Sequence, residues 1–152
     1  KFFRLAFGAA GGFGSSVAIE EPRALIDALV AGNDRITINW SLGVEALPKP
    51  AVKMLLNLAH IGIDALVRGG TLDIGAESRG GASEIVVRAA GPKIAFDGDV
   101  GRALDGSLPV ADLSSRTAPA WMLHELARQQ GGGLQFALSE EALVMGAVLP
   151  EG

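Results

Sequence analysis

Cysteine is absent from this chain, which excludes a disulfide framework, a thiolate metal site and a cysteine nucleophile. A strong charge of one sign is missing too. With 20% charged residues and a formal net charge of −4, nothing pulls the chain toward nucleic acid in general. No apolar run reaches the roughly 18 to 20 residues that a membrane-spanning helix needs, and Lys1 to Ala10 is too short and too interrupted for a secretory signal. The expectation is a soluble, cytoplasmic protein with neither a nucleic-acid nor a membrane partner. What the chain does have is apolar content: 49% of its 152 residues are hydrophobic. A chain of that length fits one domain and can bury roughly two-thirds of its unfolded surface.

The start, Lys-Phe-Phe-Arg-Leu-Ala-Phe, puts Phe3 and Phe7 on one helical face and reads as the end of a helix begun earlier. Gly8, Gly11, Gly12 and Gly14 break that pattern as a hinge, and Pro22 suits the first turn of a short helix whose apolar residues are Leu25, Ile26, Leu29 and Val30. Gly32-Asn33-Asp34 is a turn, and Arg35 to Trp40 alternates as a half-buried strand does. A second helix is predicted from about Pro50 to Val67, stopped by Arg68-Gly69-Gly70. Thr71 to Ala76 and Glu84 to Ala89 read as paired strands around the loop Ser78-Arg79-Gly80-Gly81. Phe96 to Leu104 reads as a short helix and Asp105 to Leu113 as connecting loop. Thr117-Ala118-Pro119 opens a third helix lasting to Gln130, and Leu134 to Leu138 and Glu141 to Val148 supply the last strands. This order predicts an α/β (α+β) two-layer sandwich, a mixed sheet covered by helices on one face.

On the long helix, Lys53, Asn57, His60 and Asp64 fall at offsets of four, three and four, one polar stripe on an otherwise apolar rod. Such a stripe borders a cleft or is the helix's solvent face.

Three segments resemble, in order, the boxes of the histidine-kinase ATP-binding (GHKL) fold. Asn57 to Ala65 with Arg68-Gly69-Gly70-Thr71-Leu72 is similar to the asparagine-containing helix and its turn. Val87 to Ile94 resembles the strand-to-loop box normally read as Asp-x-Gly-x-Gly. Thr117 to Phe136 is similar to the second glycine box with its helix and strand. The departures fall where chemistry would happen. The family's magnesium-binding asparagine, four residues after Asn57, is here Ile61, which offers no oxygen to a hard cation. The adenine-binding aspartate would stand at Ala89. Of the two glycines that follow in that box, Gly91 is retained and the second is Lys93. The phosphate-cradling glycines of the last box would fall at Thr117 and Pro119, and proline has no N–H to donate. The resemblance therefore implies a vestigial nucleotide site at Asn57, Ile61, Asp64, Ala89, Gly91, Lys93, Thr117 and Pro119, with no ATP, no cofactor and no metal bound.

Retained shape with a lost nucleotide site resembles the ChpT-type histidine phosphotransferases of alphaproteobacteria. Phe3 to Ala9, Leu55-Leu56-Asn57-Leu58, Ala65-Leu66-x-Arg68-Gly69-Gly70 and the Thr117-Ala118-Pro119 helix start carry the match. The resemblance implies a homodimer built through a helical hairpin, of which residues 1–14 are the end, and a degenerate kinase-like domain over 15–152. It implies relay of a phosphoryl group from the receiver aspartate of a hybrid kinase to a histidine, then to a response regulator's aspartate, the receiver bringing magnesium, in cell-cycle regulation. The phospho-accepting histidine is expected upstream of Lys1, so no catalytic residue is assigned within the chain. His60 is read as a structural or cleft-lining residue, His124 as a surface or packed one, and Phe3, Arg4 and Phe7 as candidates for bundle packing or partner docking. A non-catalytic receiver- or kinase-binding adaptor or inhibitor, and an ATPase or kinase with a rewired pocket, are the alternatives. The glycines from Gly8 to Gly14 follow a helix and lack a Gly-Lys-Ser/Thr ending, so they are no phosphate loop. Asp97-Gly98-Asp99 with Asp105 lacks the spacing of a calcium loop and reads as a turn. Ser15, Ser16, Ser114 and Ser115 stand in no nucleophile motif.

Overall fold

The computed structural model describes residues 16–151. A five-stranded mixed sheet, ordered β2-β4-β5-β7-β6, is formed by β2 (Ile36–Leu42), β4 (Gly70–Arg79), β5 (Ala82–Ala90), β6 (Gly133–Leu138) and β7 (Ala142–Pro150). β2 runs parallel to β4, and every other pairing in this sheet is antiparallel. A separate pair joins β1 (Ser16–Ala18) to β3 (Ala46–Pro48), with Ser16 opposite Pro48. Helices α1 (Glu20–Val30), α2 (Lys49–Ala65), α3 (Gly98–Asp105) and α4 (Ala118–Gln129) complete the layer, with a 3₁₀ turn at Val110–Asp112.

The strands' two-residue period decides which face is covered. Leu72, Ile74 and Ala76 of β4, Ile85, Val87 and Ala89 of β5, and Leu143, Met145 and Ala147 of β7 are all buried. The intervening residues face outward, where Asn39 donates to Asp73 at 3.0 Å and Arg88 lies 3.6 Å from Asp73. α2 lies at the centre of the covered face. Eleven of its seventeen residues are buried, Met54, Leu55, Leu56 and Leu58 completely. Each such side chain contributes about 1.5–3 kcal/mol by leaving water, so this helix is held by burial more than by capping, and its Pro48 cap makes no side-chain hydrogen bond.

Two glycine pairs make the turns. At Gly69 and Gly70 (φ 80° and 139°) the chain is squeezed between Arg35 and Ala90: a Cβ at Gly70 would lie 2.1 Å from the Ala90 carbonyl oxygen, and Gly70 N–H donates to Arg35 O at 2.8 Å. Gly80 and Gly81 (φ 62° and 78°) form a two-residue hairpin turn of the kind that needs positive φ twice. That tight turn extends both strands beyond the sequence expectation, so Ser78 and Arg79 are strand residues paired with Ser83 and Ala82, not loop. Three further limits differ from the sequence reading. α3 begins at Gly98 because the Asp97 side chain accepts from Asp99 N–H and caps it. α2 ends at Ala65, two residues before the expected Val67. The Asp105 to Leu113 connection contains the 3₁₀ turn. The short strands β1 and β3, three residues each, carry no readable period and were not expected.

Candidate functional site

The polar stripe of α2 borders a cleft. Asn57, His60, Ile61 and Asp64 form one wall of a cavity of about 660 Å³, with Phe96, Val100 of α3, and Ala120 and Leu123 of α4 on the other side. Lys53, the fourth stripe residue, lies instead in a neighbouring groove of about 300 Å³ between α2 and α4. The two cavities share Asn57, Pro119 and Leu123.

Asn57 is buried, and its amide donates to the Lys53 carbonyl at 2.8 Å, one turn back along the helix. His60 Nδ1 lies 3.6 Å from Asp64 Oδ2 at the cleft rim, with side chains 43% and 70% exposed. Across the opening, Arg116 and Asp97 form an ion pair at 2.8 Å. Phe96 is steadied by Phe136, whose ring is 5.3 Å away and tilted by 55°. Gly101 makes room for that pair, since a Cβ there would lie 2.8 Å from Phe136 Cζ. Sequence reading missed Phe96, Asp97 and Arg116 as cleft residues. They stand more than thirty residues from α2 and enter only through tertiary packing; Asp97 before a short helix was the one local signal, as a cap.

The amino-terminal turn of α4 is chemically closed. The Ser114 carbonyl accepts from both Thr117 N–H (3.2 Å) and Ala118 N–H (2.9 Å), and Pro119 has no N–H. Three successive positions thus offer no donor to an anion, although helix starts ordinarily bind one. Thr117 is buried, with its hydroxyl accepting from Ser114 N–H at 2.9 Å, so it faces its own turn and not the cleft. Ala89 is fully buried beneath α2, where a Cβ on Gly62 would approach Leu72 Cδ1 to 2.7 Å, Val87 Cγ1 to 3.2 Å and Ala89 Cβ to 3.7 Å. Lys93 is exposed, and neither it nor Gly91 lines the cleft. Of the eight residues read as a vestigial site, the fold brings Asn57, Ile61, Asp64 and Pro119 to one cavity and leaves Ala89, Gly91, Lys93 and Thr117 off its walls. Among the described residues no three His, Asp or Glu side chains stand close enough to share a metal ion, and no helix among them is long and apolar enough to cross a membrane. The lining therefore does not fit magnesium-ATP: an alkyl group stands at position 61, and positions 117 to 119 offer an anion no free N–H.

His124 is held elsewhere. Its Nδ1 is 3.1 Å from the Leu104 carbonyl in the last turn of α3, and its ring packs on Gly106, where a Cβ would come within 2.4 Å of Nε2. Nearby, hydrogen bonds from Ser107 hold the Asp105 carboxyl below its ordinary range, and Arg128 does the same for Glu125. Phe3, Arg4, Phe7 and the expected hairpin end lie outside the described residues.

Comparison with known proteins follows this geometry. Residues 19–142 match the family described as "Histidine phosphotransferase C-terminal domain". The chain is 25% identical over 147 residues to "Protein phosphotransferase ChpT" of Brucella abortus (strain 2308), covering 97% of this chain and 70% of that protein. Among solved structures, a bacterial phosphotransferase at 1.7 Å superposes with a TM-score of 0.81 at 25% identity, over 96% of this chain and 69% of that one. The catalytic domain of histidine kinase ThkA superposes at 0.65 and 16% identity, over 90% of this chain and 96% of that domain, a likeness of fold. With the family matched over most of its length and the fold of a histidine-kinase catalytic domain, the chain belongs to the histidine phosphotransferase C-terminal domain family.

Proposed function

We propose that this protein is a histidine phosphotransferase that relays a phosphoryl group between receiver-domain aspartates and uses no ATP of its own. The match to the phosphotransferase family over residues 19–142 carries the reading. The closed start of α4 and the alkyl side chain of Ile61 support its nucleotide-free half. The acceptor histidine belongs to a helical hairpin preceding this domain, and the hairpin also joins two copies. In each step the N–P bond of phosphohistidine and the O–P bond of the receiver aspartyl phosphate exchange in line, one breaking as the other forms, so positioning of the receiver sets the rate. The domain supplies the secondary contacts that orient that receiver.

Neither histidine of the domain suits the transfer. His124 has Nδ1 3.1 Å from the Leu104 carbonyl and its ring set against Gly106, so it is engaged in the contact between α3 and α4. His60 sits in the cleft wall beside Asp64, whose negative charge repels an incoming acyl phosphate. The test is transfer of radiolabel from a phosphorylated receiver to the protein bearing its hairpin histidine, compared with His60→Ala, His124→Ala and a variant of the hairpin histidine. Only the last should abolish labelling. Loss in His60→Ala or His124→Ala would move the acceptor into this domain, and failure of every form to label would end the phosphotransfer reading.

A further inference from the structure

The cavity beside α2 lacks a nucleotide lining, yet its walls are tied to one another. Ala95 N–H donates to the Ala65 carbonyl at 2.9 Å, which fastens the segment carrying Phe96 to the end of α2. The Asp97–Arg116 pair joins the start of α3 to the residues before α4, and Phe136 backs Phe96 with ring centroids 5.3 Å apart. These ties hold apart the apolar side chains that would otherwise close the space. At about 660 Å³ the cavity falls within the roughly 300–1,000 Å³ of small-molecule sites, and like them it sets a few polar groups around an apolar bed. We infer that this cavity binds a small organic amine, whose apolar body lies against Ile61, Phe96, Val100 and Leu123 and whose ammonium group meets Asp64. The inference stands apart from the phosphotransfer reading.

The sign of the ligand's charge follows from what each wall group already does. Asp97 is committed twice: Oδ1 accepts from Asp99 N–H at 2.7 Å, and Oδ2 lies 2.8 Å from Arg116. That pairing also occupies Arg116, the one arginine or lysine on the walls. Lys53, the cation of the α2 stripe, lines the neighbouring groove instead. The start of α4 has no N–H to give an anion, because the Ser114 carbonyl takes those of residues 117 and 118 and Pro119 has none. A phosphate or carboxylate would thus meet two acidic side chains with no donor to offset them. Asp64 is placed differently: it is 70% exposed at the rim, so its carboxylate can accept from an ammonium group while keeping its place 3.6 Å from His60 Nδ1. Apolar burial holds the body and Asp64 selects the charge.

Titration calorimetry of the intact chain with naphthylethylamine, naphthylethanol and naphthylacetate reads body and charge separately, since the three probes share one ring system. The amine should bind saturably and about ten-fold more tightly than the carboxylate, with the alcohol between them. Asp64→Asn, at an exposed helix position, should bring the probes to within about three-fold of one another and leave the alcohol unchanged. Ile61→Trp places a ring in the cavity and should weaken all three alike, with circular dichroism showing the fold retained. Val100→Phe repeats that block from α3, so the location stays testable if the first variant does not fold. Absence of saturable amine binding, or a carboxylate bound as tightly as the amine, would overturn the inference. So would an amine preference that survives Asp64→Asn, or amine binding untouched by the blocking variants, since either result puts the binding elsewhere.

Discussion

The two sides of α2 meet very different demands. Toward the sheet, Gly62 lies so close to Leu72, Val87 and Ala89 that no Cβ fits without movement. Toward α3 and α4, the next residue back, Ile61, borders a cavity of about 660 Å³ with Asn57, His60 and Asp64. The sheet-facing side is packed to contact and holds the fold; the cleft-facing side is open, and its residues can change with little loss of packing. Residue 61 can therefore trade an oxygen ligand for an alkyl group while residue 62 keeps the same architecture. The comparison explains how a chain can superpose on a histidine-kinase catalytic domain yet lack the lining for magnesium-ATP.

The largest effect is expected on the packed side. Gly62→Val adds methyl groups where even a Cβ is crowded, costing about 1–3 kcal/mol by overpacking, against about 0.5 kcal/mol at most recovered from helix propensity. Urea denaturation should show a lower midpoint; an unchanged midpoint would mean that the contact with β4 and β5 is loose. On the cleft side Ile61→Asn should cost less, about 1 kcal/mol. Calorimetric titration with magnesium-ATP should give no saturable heat for either chain, because Pro119 and the occupied Thr117 and Ala118 N–H groups remain. Saturable binding by Ile61→Asn alone would show that one side chain closed the site.

The smallest effect lies at the end of α3. Asp105 is exposed and has its carboxyl held below the ordinary range by Ser107. A depressed carboxyl contributes stability above its unfolded value, about pH 3.9, and that contribution fades as pH falls through the lower folded value. Asp105→Asn should accordingly lower Tm slightly at pH 7, the gap to the parent narrowing as pH falls below the ordinary carboxylate range, with less than about 1 kcal/mol at stake after solvent screening. A gap that does not narrow as pH falls would assign the effect to packing against Gly106 and His124.

Much of the site was legible in the sequence because its determinants are local. Ile61 lacks an oxygen and Pro119 lacks an N–H in any fold, and the stripe of Asn57, His60 and Asp64 follows from helical spacing alone. Ala89 was legible as a missing aspartate, but its depth under Gly62 was not, since that depends on how α2 seats on β5. Lys93 and Gly91 show the limit of aligning boxes by order, because both fall outside the cavity walls.

By itself the sequence determined most elements and the missing groups: three helices by apolar residues and proline placement, the hairpin by Gly80-Gly81, and the absence of a cation ligand at Ile61. Those properties reside in single residues and their near neighbours, where sterics and hydrogen-bonding capacity do not depend on the rest of the chain. Only the tertiary structure decided that Ser114 uses up the α4 donors, that Phe96 and the Asp97–Arg116 pair wall the cleft, that His124 is occupied by Leu104 from twenty residues away, and that a groove opens beside Trp121 and Met122. All but the Ser114 turn depend on contacts between segments distant in the chain, whose geometry is set only when the whole core packs at once.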